Sequence, residues 1–511
     1  MTAEIWDVII VGAGLSGLSA AHLLRKRNAK LKILILEGKD RVGGRTVSTE
    51  IPAANGVDRW DFGGQWVGST QTHILELIKE LGLETFPQFN IGKKVHHMGG
   101  PGGKVRTYRT SIPALSPVVL TDLTQLLWKV RQQTHTAIDP WRTPNAVELD
   151  SMTLHSYITQ HAWTADLKEE MGLCSRSVFG VEPSQMSFLF FLMYAAAAGG
   201  VLRLLESTPG SAQELKIKGG TQQLSQCLAE RVGWKNVRLG SAVAAIWQVE
   251  YSNISLWAPG CSYTALPGNI GRLINHENHC SFTAFWKEKG FSGEIVAGSS
   301  TGCPFCVTFD ASSPSGNAAL VGFIAGQQAS QWSSEERRKA VLSSLVKYLG
   351  LEAASFIHYE EKDWAKEDYS GGCPVNVMAP GMLTYYHPSL RKPCGRIHWA
   401  GTETATLWCG YMSGAVQAGQ RAALEALAEL CPMTLTQEEQ EVVQQSQTVE
   451  AAVKQTPASK LTRLSTANAL VVAALAIGGV LLLARNQNAL LKVKTHLVNA
   501  FSTTTHDIFL L

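Results

Sequence analysis

The sequence predicts an α/β protein: a Rossmann-like domain, a discontinuous mixed α+β domain, and a C-terminal transmembrane helix. Three observations predict it. A strand, a glycine turn, a helix and a second strand follow one another at the N-terminus; helical and strand-like segments alternate through the middle; an uncharged run lies near the C-terminus. At 511 residues, with 45% hydrophobic and 17% charged side chains, the chain is long enough for two or three domains with large cores.

The N-terminal unit sets the fold class. Residues 5–11 read IWDVIIV, a short apolar run that suits a strand buried on both faces of a parallel sheet. Gly12, Gly14, Ser16 and Gly17 follow in GAGLSG, and residues 18–25 have helical spacing. Residues 32–36 (KILIL) give a second apolar strand, which ends at Glu37. In this context Gly12 permits the tight turn, Gly14 lets the backbone approach a pyrophosphate at the helix N-terminus, and Gly17 allows close helix–strand packing. Glu37 is placed to accept the ribose hydroxyls of an adenosine.

The remaining elements follow in order. Residues 121–136, 152–160 and 184–198 read as helices, and 236–248 as strand with a turn. Residues 334–349 form an amphipathic helix, capped by Ser333 or Ser334, with Glu335 and Glu336 in the first turn where the dipole favours acids. Residues 396–400 read as a short strand and 414–430 as an alanine-rich helix. Residues 437–455 are rich in Gln and Glu and read as a linker outside any core. Residues 464–484 hold no charge and are flanked by Lys460 and Arg463 on one side and by Arg485, Lys492 and Lys494 on the other, which predicts a membrane-spanning anchor with a short tail.

Composition narrows the partners. The net charge is +3, with no basic stripe interleaved with aromatics, so no nucleic acid is expected. The ten cysteines are scattered and the start leaves no room for a secretory leader, which predicts free thiols in a reducing compartment. Cys303 and Cys306 form one CxxC pair with no second pair of zinc-like spacing, so no metal site is expected.

Two further glycine loops separate FAD from NAD. Glu37 is followed by Lys39, Asp40, Arg41 and then Gly43-Gly44-Arg45, and Gly63-Gly64-Gln65 comes soon after. NAD-binding folds do not need these extra backbone approaches. The three motifs resemble those of the flavin-containing amine oxidase family. Tyr369-Ser-Gly-Gly-Cys373 and the segment Gly401-Thr402-Glu403 through Trp408, Tyr411 and Met412 resemble its monoamine oxidase members. The resemblance covers most of residues 5–430. It implies FAD attached through a thioether at Cys373, with Gly401, Thr402 and Glu403 near the diphosphate and ribityl chain, Met412 near the isoalloxazine, and Val243 among the cofactor contacts. It further implies a homodimer, and a mitochondrial outer membrane anchor with the catalytic part facing the cytosol. With the fold it implies an FAD-binding domain of residues 1–80, 214–250 and 391–430, a substrate domain of 81–213 and 251–390, a linker at 431–463, an anchor at 464–484 and a tail at 485–511.

The reaction implied is FAD-dependent oxidation of a primary amine by oxygen, giving aldehyde, ammonia and hydrogen peroxide. Tyr411 matches one of two tyrosines that flank the amine; Pro374 stands where the other is expected, and Trp408 is a candidate helper. Gln213 matches a glutamine of the substrate cavity, and Leu204 and Leu205 fall where the family places a gating aliphatic residue. The chain departs from the family between Ala265 and Trp286, where about twenty residues are missing in a region expected to carry a strand and a flavin-facing lysine. No lysine lies between Lys235 and Lys287. An impaired flavoprotein without that lysine therefore stays open beside the active amine oxidase. So does another flavin amine or amino-acid oxidase, although no arginine for a substrate carboxylate is identified.

Overall fold

The computed structural model describes residues 5–100, 102–134, 139–140, 143–249, 252–257, 276–330 and 332–447. The N-terminal sheet is parallel. Strand β1 (Val8–Val11) pairs with β2 (Ile33–Leu36), Val8 opposite Ile33 through Val11 opposite Leu36, and Val237–Arg238 adds to the other side of β2. All of β2 is buried, as its unbroken apolar run requires of a central parallel strand. Helix Leu15–Arg27 connects the two strands and packs on helices Gln222–Val232 and Met412–Leu430. Gly419 makes the closest approach possible, because a methyl there would stand 2.1 Å from the Ser16 carbonyl oxygen.

A seven-stranded mixed sheet forms the second wall. Its members are β3 (Lys93–His97), β4 (Val105–Tyr108), β5 (His276–Phe282), β6 (Phe291–Ala297), β7 (Val307–Asp310), β8 (Ala318–Ile324) and β9 (His358–Asp363), in the spatial order β9-β5-β8-β7-β6-β3-β4. Only β3 and β6 run parallel to each other. The short segment before Trp286 therefore leaves no hole in this sheet. Strand β5 pairs along its length with β8 on one side and β9 on the other, so all ladder bonds have a partner. Helices Pro117–Thr134, Leu154–His161, Ala165–Phe179 and Phe188–Ala197 share one apolar core around Leu126, Leu167, Phe179 and Phe188.

Several expected boundaries move for local reasons. The helix expected over 184–198 is a 3-10 turn (Pro183–Gln185) followed by Phe188–Ala197, because the Ser187 hydroxyl accepts the Phe190 N–H and caps a new start. The expected strand 236–248 divides between two sheets: Val237–Arg238 joins β2, and Ala245–Val249 forms a hairpin with Ser252–Trp257. Residues 396–400 are not a strand. Cys394 and Ile397 bond each other across a turn at Gly395, and the Arg396 N–H donates to the Gln248 side chain, which uses the groups a ladder would need. Residues 437–447 are a helix and not a linker, with Val443 buried and Glu439 paired with Arg27. The helix 334–349 has the expected limits, and Ser333 and Glu336 complete a capping box. The anchor at 464–484 lies outside the described residues; among the described residues no helix is long and apolar enough to cross a membrane.

Candidate active site

Three glycine loops meet in front of the parallel sheet. Gly12 has φ +98° and its N–H donates to the Leu36 carbonyl (2.7 Å), which makes the turn out of β1 one that a side chain would strain. At Gly17 a methyl would lie 2.2 Å from the Gly12 oxygen, so this glycine serves packing. At Gly14 a methyl would meet no protein atom within 4 Å, so this glycine faces open space. Gly44 lies against Gly14, and the Gly43 N–H donates to the Ala13 carbonyl (2.9 Å), joining the second loop to the first. Glu37 is buried, and its two oxygens accept the N–H groups of Ala13 (2.7 Å) and Lys39 (2.9 Å). Each oxygen keeps a lone pair for a ribose hydroxyl.

The residues present fit FAD. Gln65 is 1% exposed and lines the cavity in front of these loops, yet neither atom of its amide has a hydrogen-bond partner among the described residues. A buried amide left open in this way belongs to a ligand site. Gly64 sits over Met412, the first residue of the helix Met412–Leu430. The Gly401 N–H donates to Ser16 Oγ (2.8 Å), tying the segment Gly401-Thr402-Glu403 to the first loop. Val243 is buried and lines the same space. The Lys39 ammonium is committed to Glu367, which also takes Lys362; burial alone would raise that carboxyl, but the Lys362 and Lys39 ammoniums hold it at about 2.

A single cavity of about 2320 Å³ runs from these loops into the aromatic region, and all the cofactor and substrate residues expected from the sequence line it except Trp408. Arg45 bridges its wall, donating to both oxygens of Glu403 (2.6 and 2.9 Å) and to the Pro374 carbonyl (2.9 Å). Burial opposes charge on both groups, but their mutual attraction wins: the Arg45 guanidinium is held above its usual range and the Glu403 carboxyl below its own. The Thr402 hydroxyl donates to the Tyr411 carbonyl (2.9 Å) and so fixes the tyrosine's backbone. Cys373 is a buried cysteine on the cavity wall beside Pro374.

Tyr411 is braced on two sides. Trp408 meets it edge-on at 5.1 Å, and the Tyr194 ring lies tilted against it at 5.9 Å. Burial pushes both phenols up, so both stay protonated. Trp408 has φ +52° and donates its indole N–H to the Thr70 carbonyl (3.3 Å); it supports Tyr411 from behind. Leu204 is buried and Leu205 exposed, and both reach the cavity. Gln213 donates to the Leu204 carbonyl (3.1 Å), while its own oxygen has no partner among the described residues.

Sequence reasoning missed three groups. Tyr194 is the one hydroxyl in a helix that otherwise reads FLFFLMAAA, and that oddity was the available signal. Trp66 packs on Phe309 and Phe323 at 5.3 and 5.8 Å to form an aromatic wall. Lys94, Glu170 and Glu294, with the neutral Tyr108 hydroxyl, bring polar and charged groups to the cavity from three distant segments. Lys287 is not a cavity residue: its ammonium is held by Asp310 (3.1 Å) and Ser312 (2.8 Å).

A dinucleotide cradle that opens directly into an aromatic cavity defines an FAD-dependent oxidoreductase. The chain belongs to the flavin containing amine oxidoreductase family, whose model matches residues 15–265 and 282–427. The interruption falls where the sequence is short. The flavin-containing amine oxidase of Oncorhynchus mykiss is 36% identical over 84% of this chain and 87% of its own. The flavin-containing amine oxidase B of Homo sapiens is 35% identical over 82% and 86%. Among solved structures, cyclohexylamine oxidase from Brevibacterium oxydans has a TM-score of 0.75 at 29% identity, covering 84% of this chain and all of that one. A putrescine oxidase with putrescine bound has a TM-score of 0.74 at 28% identity, covering 83% and 99%. FAD is the cofactor of this family and amine oxidation its chemistry.

Proposed function

We propose that this chain oxidises primary amines, so that an amine, oxygen and water yield an aldehyde, ammonia and hydrogen peroxide. The carrying observation is the single cavity that joins the FAD cradle to Tyr411. Bound FAD supplies the hydride acceptor and the reaction with oxygen. The protein supplies the rest. Tyr411, Tyr194 and the Trp66–Phe309–Phe323 wall exclude water and favour the neutral amine by desolvation. Gln213 offers the amine an acceptor oxygen, and the Arg45–Glu403 pair holds the wall beside Cys373.

The finer assignments belong to the same reading. Cys373 is the covalent attachment point, supported by its place on the cavity wall. The FAD domain is assembled from residues 1–80, 214–250 and 391–430, supported by the pairing of Val237–Arg238 with β2 and by the packing of helices Gln222–Val232 and Met412–Leu430 on Leu15–Arg27. Residues 464–484 anchor the protein in a membrane, the mitochondrial outer membrane by resemblance, and the chain pairs as a homodimer. One observation favours a slow enzyme: the lysines that line the cavity, Lys39 and Lys94, are each ion-paired, and Lys287 is held elsewhere. The test is peroxide release from FAD-loaded protein given a panel of primary amines. Peroxide with at least one amine supports the reading, and none with any amine overturns it.

A further inference from the structure

The cavity has a charged end that amine oxidation does not use. Glu170, on the helix Ala165–Phe179, is 7% exposed and lines the cavity. Its Oε2 meets His96 Nε2 at 3.1 Å, while its Oε1 accepts no hydrogen bond among the described residues. Glu294 on β6 faces the same space; its Oε2 pairs with the Lys94 ammonium (2.7 Å) and its Oε1 accepts the Tyr108 hydroxyl (3.2 Å). Two carboxylates thus share one ammonium and one imidazole, which leaves a negative charge in excess whenever His96 is neutral. Burying such an excess is costly without a partner, and an unused carboxylate oxygen on a cavity wall calls for a cation or donor.

The place of this end is set by the sheet. Trp66 packs on Phe309 of β7, and β6 and β3 are the next two strands outward. At about 4.8 Å per strand, Lys94 on β3 stands roughly 10 Å along the sheet from that aromatic wall. We propose that Glu170, with Glu294 beside it, binds a second cationic group of the substrate, so that the preferred amines are long diamines or polyamines. This rests on the amine-oxidase reading above and names its substrate class. One amine end lies against Tyr411, where its α-carbon would give up a hydride to bound FAD; the other nitrogen stays an ammonium at Glu170. A charge-assisted bond of this kind is worth about ten- to a hundredfold in affinity.

The test compares octylamine, 1,8-diaminooctane, spermidine and 8-aminooctanoate on FAD-loaded protein. The eight-carbon chain spans about 10 Å when extended. Anaerobic flavin reduction at rising amine concentration gives an affinity for each. The proposal expects 1,8-diaminooctane to half-saturate at about a tenth to a hundredth of the octylamine concentration, and Glu170→Gln to shrink that advantage to about threefold or less. Glu294→Gln, read in parallel, covers the case in which Glu170→Gln does not fold. Equal affinities in the wild type overturn the proposal, and that comparison needs no variant. An advantage kept in both variants overturns it, and so does tighter binding of 8-aminooctanoate, which would assign the distal group to Lys94. If no amine bleaches the flavin, the amine-oxidase reading fails separately, and equilibrium dialysis of the radiolabelled amines still gives the affinity ratio.

Discussion

Gly14 and Gly17 lie three residues apart, and the structure gives them opposite roles. At Gly17 a methyl would stand 2.2 Å from the Gly12 oxygen and 3.0 Å from Ile10 Cγ2. The first of these is backbone and cannot turn aside, so Gly17→Ala must push the helix Leu15–Arg27 off β1. Overpacking of this kind costs about 1–3 kcal/mol, a large share of the ~5–15 kcal/mol that holds a domain. At Gly14 a methyl meets nothing, and φ −73°, ψ 173° is backbone that alanine adopts freely. Gly14→Ala should therefore stabilise the cofactor-free protein by about 0.4–1 kcal/mol, through the lower entropy of the unfolded chain. The same methyl stands where the pyrophosphate must approach the N–H groups, and loss of such charge-assisted bonds costs about ten- to a hundredfold in FAD affinity. Both variants belong in a Cys373→Ala background, so that binding is reversible. Urea unfolding of the apoprotein and titration with FAD separate the effects. If Gly14→Ala binds FAD as the parent does, or if apo Gly17→Ala is as stable as the parent, this account of the cradle is wrong.

Three more outcomes follow from the same structure. Acid precipitation should leave the flavin with wild-type protein, and the Cys373→Ala protein should release it; release from the wild type would show that Cys373 is not the attachment point. Removing residues from Leu464 onward should move the protein from the membrane pellet to the soluble fraction, and retention on membranes would point to another attachment. Glu367 is held at about 2 by Lys362 and Lys39, so its ion pairs stabilise the fold above the ordinary carboxyl range and lose their effect as pH falls from about 4.5 towards 2. Glu367→Gln should cost about 1–2 kcal/mol at pH 7, the shift being discounted for solvent screening, with the gap to wild type narrowing across that window; a gap that stays constant from pH 7 to 3 would refute it.

Legibility in the sequence followed locality. Gly12, Gly17 and Glu37 were readable because each answers to its own few neighbours: a positive φ, a helix start, the end of a strand. The capping box of Ser333 and Glu336 fixed a helix start in the same way. Residues 396–400 misled because their apolar pattern suits a strand, while Gly395 and the Gln248 side chain take the backbone groups locally. Residues 437–447 are polar apart from Val442 and Val443, and the buried Val443 with an ion pair from Glu439 to Arg27 docks them. The charged end of the cavity was out of reach because Lys94, Glu170 and Glu294 meet only through the parallel pairing of β3 with β6 and the helix laid across them. Tyr194 and Tyr411 are likewise 217 positions apart in the sequence and meet only in the core.

The central claim is that amines reduce a flavin in this cavity and oxygen restores it. The direct measurement follows the flavin absorbance of the FAD-loaded full chain without oxygen, first on adding an arylalkylamine or a long diamine and then on admitting oxygen. The account predicts that the band bleaches with amine, returns with oxygen, and that peroxide and aldehyde form in equal amounts. A flavin that is bound but stays oxidised in the presence of every primary amine would contradict it.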